Sequence, residues 1–138
     1  MKELHINLTI SALTVGLVFC ITALAEGLTK DSYKADKESI VAEYKADKSA
    51  CSAMSGNQKD ICVAQAKGKE KVALAELEAN YQPTARNQHQ VRIAKAEADY
   101  AVARERCDDK AGNAKDVCIK EAKAAEAAAK ADATAAMK

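Results

Sequence analysis

The sequence has few of the side chains from which a wide hydrophobic core is built. It contains no tryptophan, one phenylalanine and four tyrosines, and aromatic residues make up 4% of the chain. Much of the 49% hydrophobic content is alanine, and large aliphatic residues are sparse beyond residue 25. These absences argue against a thick globular core, and the abundance of Ala, Glu and Lys favours long helices with narrow contacts. With 138 residues, the chain has room for one domain or two small repeats.

An excess of charge of either sign is also lacking. The 21 basic and 20 acidic residues give a formal net charge of +1. Binding to the phosphates of nucleic acid or of an anionic membrane face requires a surplus of clustered Lys and Arg, so this balance predicts neither partner. The sequence has no glycine-rich phosphate loop. It has only two histidines, and His89, the one beyond residue 25, lies in a polar stretch typical of a surface histidine. We therefore predict no cofactor, no metal, no catalytic residues and no small-molecule substrate.

The N-terminal segment has the pattern of an export signal. Lys2 is followed by a largely apolar stretch over 6–21, and Ala23 and Ala25 form a small-residue cleavage site. We predict a signal peptide over 1–25 that is cleaved after Ala25, and hence a periplasmic protein. An uncleaved anchor is the alternative, because the apolar run approaches the roughly 20 residues that span a bilayer. Membrane contact is expected only in that case.

Cleavage removes Cys20 and leaves four cysteines in an oxidising compartment, where disulfides are the default. Lipid attachment at Cys20 is disfavoured because the bulky Phe19 precedes it. The remaining cysteines belong to two copies of one motif, which returns after 56 residues with its Gly-Asn pair unchanged. Because further positions match at the same offset without a gap, the chain contains an internal duplication.

Each Gly-Asn pair predicts the turn of a helical hairpin. Glycine accepts the left-handed conformation of a helix end, and asparagine caps the helix that follows. The turn and cap residues predicted in this way are Gly56, Asn57, Gly112 and Asn113. In a hairpin the flanking cysteines lie level, whereas an unbroken helix would separate them by about 16 Å.

A disulfide spans only about 4.4 to 6.8 Å between Cα atoms, so the hairpin and the bridge require each other. We predict the pairs Cys51–Cys62 and Cys107–Cys118. The alternatives are crossed or intermolecular pairing, a zinc site made by all four cysteines, and thiol redox chemistry.

Apolar residues at helical spacing predict four helices. The first is expected to begin at Thr29 and the second to run over 58–81, where Gly68 marks a close approach of another helix. The third is expected over 84–111, and the fourth begins at Asn113 and ends in a solvated, fraying tail. The residues predicted to form the interface stripes of the first and third helices are Tyr33, Ile40, Tyr44, Ile93 and Tyr100.

Pro83 separates the two repeats, which gives the hairpins 26–82 and 83–138 after the signal peptide. A continuous helix kinked at Pro83 is the alternative. The predicted fold is all-α, with two duplicated antiparallel hairpins that each carry a disulfide across the Gly-Asn turn. They form either an elongated four-helix assembly or an extended pair.

The stretches 44–48, 95–100 and 112–118, together with 55–57 and 59–62, resemble a family of small exported proteobacterial proteins that carry a TolA-like cell-envelope label. The resemblance implies an envelope location and identifies no functional residue. We expect a non-enzymatic helical interaction or structural protein of the periplasm that binds a protein partner or itself. The alternative is a holdase-type chaperone for unfolded clients, and an enzyme or metal carrier ranks third.

Overall fold

A computed structural model describes residues 27–137, and the predicted signal peptide lies outside them. This part of the chain consists of four helices with no strand, so the predicted all-α class is confirmed. The helices are α1 (Lys30–Cys51), α2 (Gly56–Tyr81), α3 (Ala85–Cys107) and α4 (Gly112–Ala135).

Threonine side chains start α1 and α3. The hydroxyl of Thr29 accepts a hydrogen bond from the Ser32 amide, and that of Thr84 accepts one from the Asn87 amide, each at 3.1 Å. These bonds satisfy amides that have no partner within the helix. Pro83 lies in a short turn between α2 and α3, so the chain reverses there and does not continue as a kinked helix.

The helices form an open array in chain order. Each packs against its neighbours in sequence, and α1–α3, α2–α4 and α1–α4 contacts are absent among residues 27–137. At about 100° per residue, the α1-facing and α3-facing sides of α2 lie about 180° apart. The array is therefore one helix thick, with both disulfide-bearing turns at one end and the Pro83 turn at the other.

Small residues form the contact regions. The α2–α3 pair, which joins the two repeats, has the most extensive contact. A Cβ atom added to the buried Gly68 would lie 2.9 Å from Cβ of Ala98, which confirms the predicted close approach. The buried apolar residues are Cys51, Ala64, Ala66, Leu77, Ala94, Ala96, Cys107 and Ala133.

Two broad faces flank the α2–α3 contact, and each carries a shallow groove. We call the front face the one whose groove is lined by Lys67 and Ala101. The back face is the one whose groove is lined by Lys69 and Val102. Gly68 lines both grooves, because it lies where the two helix axes come closest.

The C-terminal segment is largely exposed, as predicted, but the predicted fraying was wrong. Helix α4 continues to Ala135, and the side chain of Ala133 is buried with 3% exposure. Lys130 reaches Glu97 of α3, and this contact holds the alanine-rich segment against the array. Helix α3 is shorter than predicted, because it ends at Cys107 rather than at Ala111.

Candidate functional site

The two disulfides form as predicted. Cys51 pairs with Cys62 and Cys107 with Cys118, and the Cα atoms of each pair are 5.6 Å apart. Cys51 is 1% exposed and Cys107 is fully buried. Each bridge joins the end of one helix to the first turns of the next, so it fixes the separation of the helices in its hairpin.

The glycines of the two turns have the expected backbone, but the asparagines have a different role. Gly56 and Gly112 have φ of 58° and 56°, in the left-handed region that favours glycine. Both already belong to the following helix, so Asn57 and Asn113 stand inside its first turn, and neither helix has a side-chain cap. The prediction that these asparagines cap α2 and α4 was therefore wrong.

Asn57 instead links the repeats. Its Nδ2 donates a hydrogen bond of 2.8 Å to the backbone carbonyl of Glu105 on α3. Asn113 is exposed and makes no equivalent bond to any residue of the described part. The first turn therefore contacts α3 through Asn57, whereas the asparagine of the second turn is exposed and makes no such contact.

At the open end of the first hairpin, which is the end away from the disulfide, a tyrosine pair joins α1 to α2. The hydroxyl of Tyr33 donates to Glu78 at 2.9 Å, and its ring centroid lies 4.6 Å from that of Tyr81. The hydrogen bond to the Glu78 carboxylate, together with desolvation, raises the pKa of Tyr33. These contacts fasten α1 to the last turns of α2.

The other stripe residues lie in clefts between helices. Ile40 and Tyr44 line the α1–α2 cleft, and Tyr100 lines the α3–α4 cleft beside Ala122 and Ala129. Every residue of the predicted stripes is half-buried. In an array one helix thick, these residues fill narrow interfaces and form no enclosed pocket.

A cluster of charges connects the last three helices, and the sequence patterns did not reveal it. Glu97 of α3 pairs with Lys71 of α2 and accepts a bond of 2.8 Å from Lys130 of α4, which also binds Glu126 at 2.8 Å. Hydrogen bonds from Lys130 and Lys71 lower the pKa of Glu97, while Glu126 and Glu97 raise that of Lys130. The residues of this cluster lie on three different helices, so the cluster can be recognised only once the packing of those helices is known.

His89 contacts α4 as well, because its Nε2 lies 3.4 Å from the hydroxyl of Thr134. Residues 27–137 contain no group of three His, Cys, Asp or Glu side chains placed to hold a metal ion. Nor does any helix in this range have the length and hydropathy to span a bilayer. All charged side chains in the same range are at least partly exposed.

No protein-family model, curated protein or solved structure matches the chain. The geometry alone therefore carries the functional argument. It offers two disulfide-bridged turns, two uncovered broad faces and the outer edges of α1 and α4.

Proposed function

We propose that the chain is a non-enzymatic interaction and structural protein of the cell envelope, which acts in the periplasm after removal of residues 1–25. The observation that carries this proposal is the open array, whose helices are held by disulfides while its edges remain uncovered. Disulfides persist in oxidising compartments, which supports export. An array held in this way presents long helical surfaces without requiring a large core.

The outer edge of α4 is the surface that best supports self-association. Helix α2 packs on α3 through the face that includes Ile61, Gly68 and Val72. The duplication places their counterparts on the uncovered side of α4, and all of these counterparts are exposed. We call the α4 edge the set Val117, Ala124, Ala127, Ala128 and Ala131. The α4 edge thus corresponds to the face of α2 that packs on α3 within the chain.

The occupant we infer for the α4 edge is the α4 edge of a second copy. Within the chain, the α2 face packs on α3 around Ala94 and Ala101, but the duplication places Glu38 and Lys45 at these positions on α1. Lys45 would face Lys120 if α4 packed on the α1 edge, and this repulsion disfavours a continuing array. A two-fold pair of antiparallel α4 helices centred on the α4 edge instead places Lys120 opposite the alanine-rich half of the other helix, about 12 Å along the axis from its own copy.

Sedimentation of the exported chain tests this association. Ala128→Glu places a charge on the α4 edge, whereas Ala42→Glu places the same charge on the exposed outer edge of α1, at the other side of the array. We expect a dimer for the parent chain and for Ala42→Glu, and a monomer for Ala128→Glu. A parent chain that stays monomeric at high concentration, or equal behaviour of the two variants, contradicts the proposed association.

The proposed location has its own test. Intact mass of the chain recovered from an envelope extract should correspond to a protein that begins at Glu26. It should gain no alkylating label until a reductant is added. A chain that retains residues 1–25, or that is labelled without reductant, contradicts export to the periplasm as proposed.

No observation favours the holdase alternative. A surface for unfolded clients needs a contiguous apolar patch. The exposed large apolar residues of the described range are Met54, Val117 and Met137, which lie on different elements. Val117 belongs to the α4 edge, and the other two are isolated at the ends of helices.

A further inference from the structure

The lysines of α1 all lie on one side of the helix. At about 100° per residue they fall within an arc of about 80°. All are exposed, and none forms an ion pair with a residue that the structure describes. We call them the lysine row: Lys30, Lys34, Lys37, Lys45 and Lys48.

The lysine row belongs to the front face. On the other side of α1, Glu43 and Asp47 bind Lys69, which lines the back groove. Because the row and these acids point in opposite directions across α1, the row lies beside the front groove, where Lys67 is exposed.

Helical spacing places Arg104 of α3 and Lys123 of α4 on the front face as well. Acidic residues are present on the front face but do not interrupt the row. Asp31 and Glu38 border it on the outer edge of α1. Asp60, Glu97 and Glu105 line the groove, which separates them from the row. A net charge near zero conceals the lysine row, because the sum counts the acids of all other surfaces against the lysines of α1.

We propose that the front face docks on an anionic membrane leaflet, with the lysine row against the phosphate headgroups. The row is about 27 Å long, and the array is one helix thick and four helices wide, so it presents a broad face to a planar leaflet. Lysine is a compact point charge on a flexible stem and is typical of contacts with anionic lipid.

Nucleic acid fits this surface less well. Single strands are bound by exposed aromatic side chains, and every tyrosine of the described range is half-buried. The major groove of a duplex admits a protruding helix or ribbon, whereas α1 lies in the plane of the array. Charge and shape together therefore favour the lipid surface.

This inference uses a different surface from the α4 edge, so the two proposals can fail separately. Failure of membrane docking would leave self-association unaffected, and a monomeric chain could still bind vesicles through the lysine row. Membrane docking therefore depends on the charges of the lysine row and not on association through the α4 edge.

Co-sedimentation with vesicles tests the proposal. The exported chain is compared on vesicles of phosphatidylcholine alone and of phosphatidylcholine mixed with phosphatidylglycerol. Residues 1–25, if they were retained, would act on both vesicles, so the difference reports the anionic headgroup. We expect binding only to the mixed vesicles and a steep loss with added salt, because screening weakens contacts between exposed charges.

Two triple variants with the same net charge locate the surface. Lys34→Gln/Lys37→Gln/Lys48→Gln removes three charges from the row, and each lysine near such a surface contributes about fivefold in affinity, so a loss of about a hundredfold is expected. The control Lys59→Gln/Lys95→Gln/Lys110→Gln changes exposed lysines outside the row and the α4 edge and should retain binding. Helix content by circular dichroism verifies that both variants fold.

Three outcomes overturn the proposal. The first is no binding of the parent chain to the mixed vesicles. The second is an equal loss in both triple variants, which would assign the effect to net charge rather than to the row. The third is tighter binding to duplex DNA than to the vesicles at the same salt concentration, which would assign the lysine row to nucleic acid.

Discussion

At the open end of the first hairpin, Tyr33 donates a hydrogen bond to Glu78, and at the duplicated positions of the second hairpin His89 lies 3.4 Å from Thr134. The two pairs have the same separation in sequence and join the same parts of their helices. The two hairpins therefore have a contact at the same place, while its chemistry differs. An aromatic and a carboxylate meet in one copy, and an imidazole and a hydroxyl in the other.

The same contrast continues toward the middle of each hairpin. Leu77 is buried on α2, and its counterpart Ala133 is buried on α4. Glu97 and Lys130 form an ion pair at the positions where the first hairpin has Val41 and Leu74. The first hairpin thus depends more on apolar burial and the second more on charge. The disulfide and the turn are common to both hairpins and fix the separation of the two helices. Either apolar burial or charge pairing can then complete the contact between them.

Removal of one disulfide at a time gives the largest expected effect. Each bridge closes a short loop and contributes about 3 kcal/mol to the free energy of unfolding. We expect hydrogen exchange to increase more in α4 for Cys107→Ala/Cys118→Ala than in α1 for Cys51→Ala/Cys62→Ala, because α4 has fewer large apolar contacts. Equal exchange in the two variants would contradict the comparison.

Leu77→Ala makes the first hairpin resemble the second. Removal of a buried leucine side chain costs about 2 to 3 kcal/mol. Urea unfolding measures this loss, and Leu74→Ala provides a matched control at a half-buried position of the same helix. The assignment of Leu77 to the core of the hairpin fails if the control costs as much as Leu77→Ala.

Gly68→Ala and the reverse substitution 56 residues later, Ala124→Gly, should both destabilise the chain. Gly68→Ala gains about 1 kcal/mol of helix propensity, but its Cβ meets Ala98, and overpacking of this kind costs about 1 to 3 kcal/mol. Ala124→Gly, at the exposed counterpart, loses about 1 kcal/mol through propensity alone. Thermal unfolding measures both. A clear gain in stability for Gly68→Ala would show that α2 and α3 are not packed this closely.

The turn asparagines provide a smaller test of the same contrast. Asn57→Ala removes the hydrogen bond to the carbonyl of Glu105 and should cost about 1 kcal/mol. Asn113→Ala should leave the free energy of unfolding nearly unchanged, because Asn113 makes no equivalent bond. The measurement is chemical unfolding of both variants side by side, and equal losses would argue that both asparagines act locally.

Acid should weaken the second hairpin more than the first. The pKa of Glu97 is lowered from 4.5 by Lys130 and Lys71, so its carboxylate stabilises the fold at higher pH. That contribution disappears as the pH falls through the lowered pKa. Glu97→Gln should cost about 0.5 kcal/mol at neutral pH and reduce the acid dependence of exchange in α4. An unchanged acid dependence would show that this carboxylate does not hold α4.

Local patterns were sufficient for the helices, the hairpin turns and the disulfides, because Thr29, Pro83 and the paired cysteines act on their own neighbourhood. The role of Asn57 was not predictable, since its acceptor lies 48 residues away on α3. Helix α4 was mistaken for a fraying tail because its support comes from Glu97 on another helix. The lysine row was hidden in a balanced net charge, which carries no information about which side of a helix each residue occupies.

The chain forms two helical hairpins, and each is closed by its own disulfide. Peptide mapping of the native, unreduced chain by mass spectrometry tests this pairing most directly. The predicted result is two bridged peptides, one that contains Cys51 and Cys62 and one that contains Cys107 and Cys118. A bridge between the two copies, or free thiols in the native chain, would contradict the account.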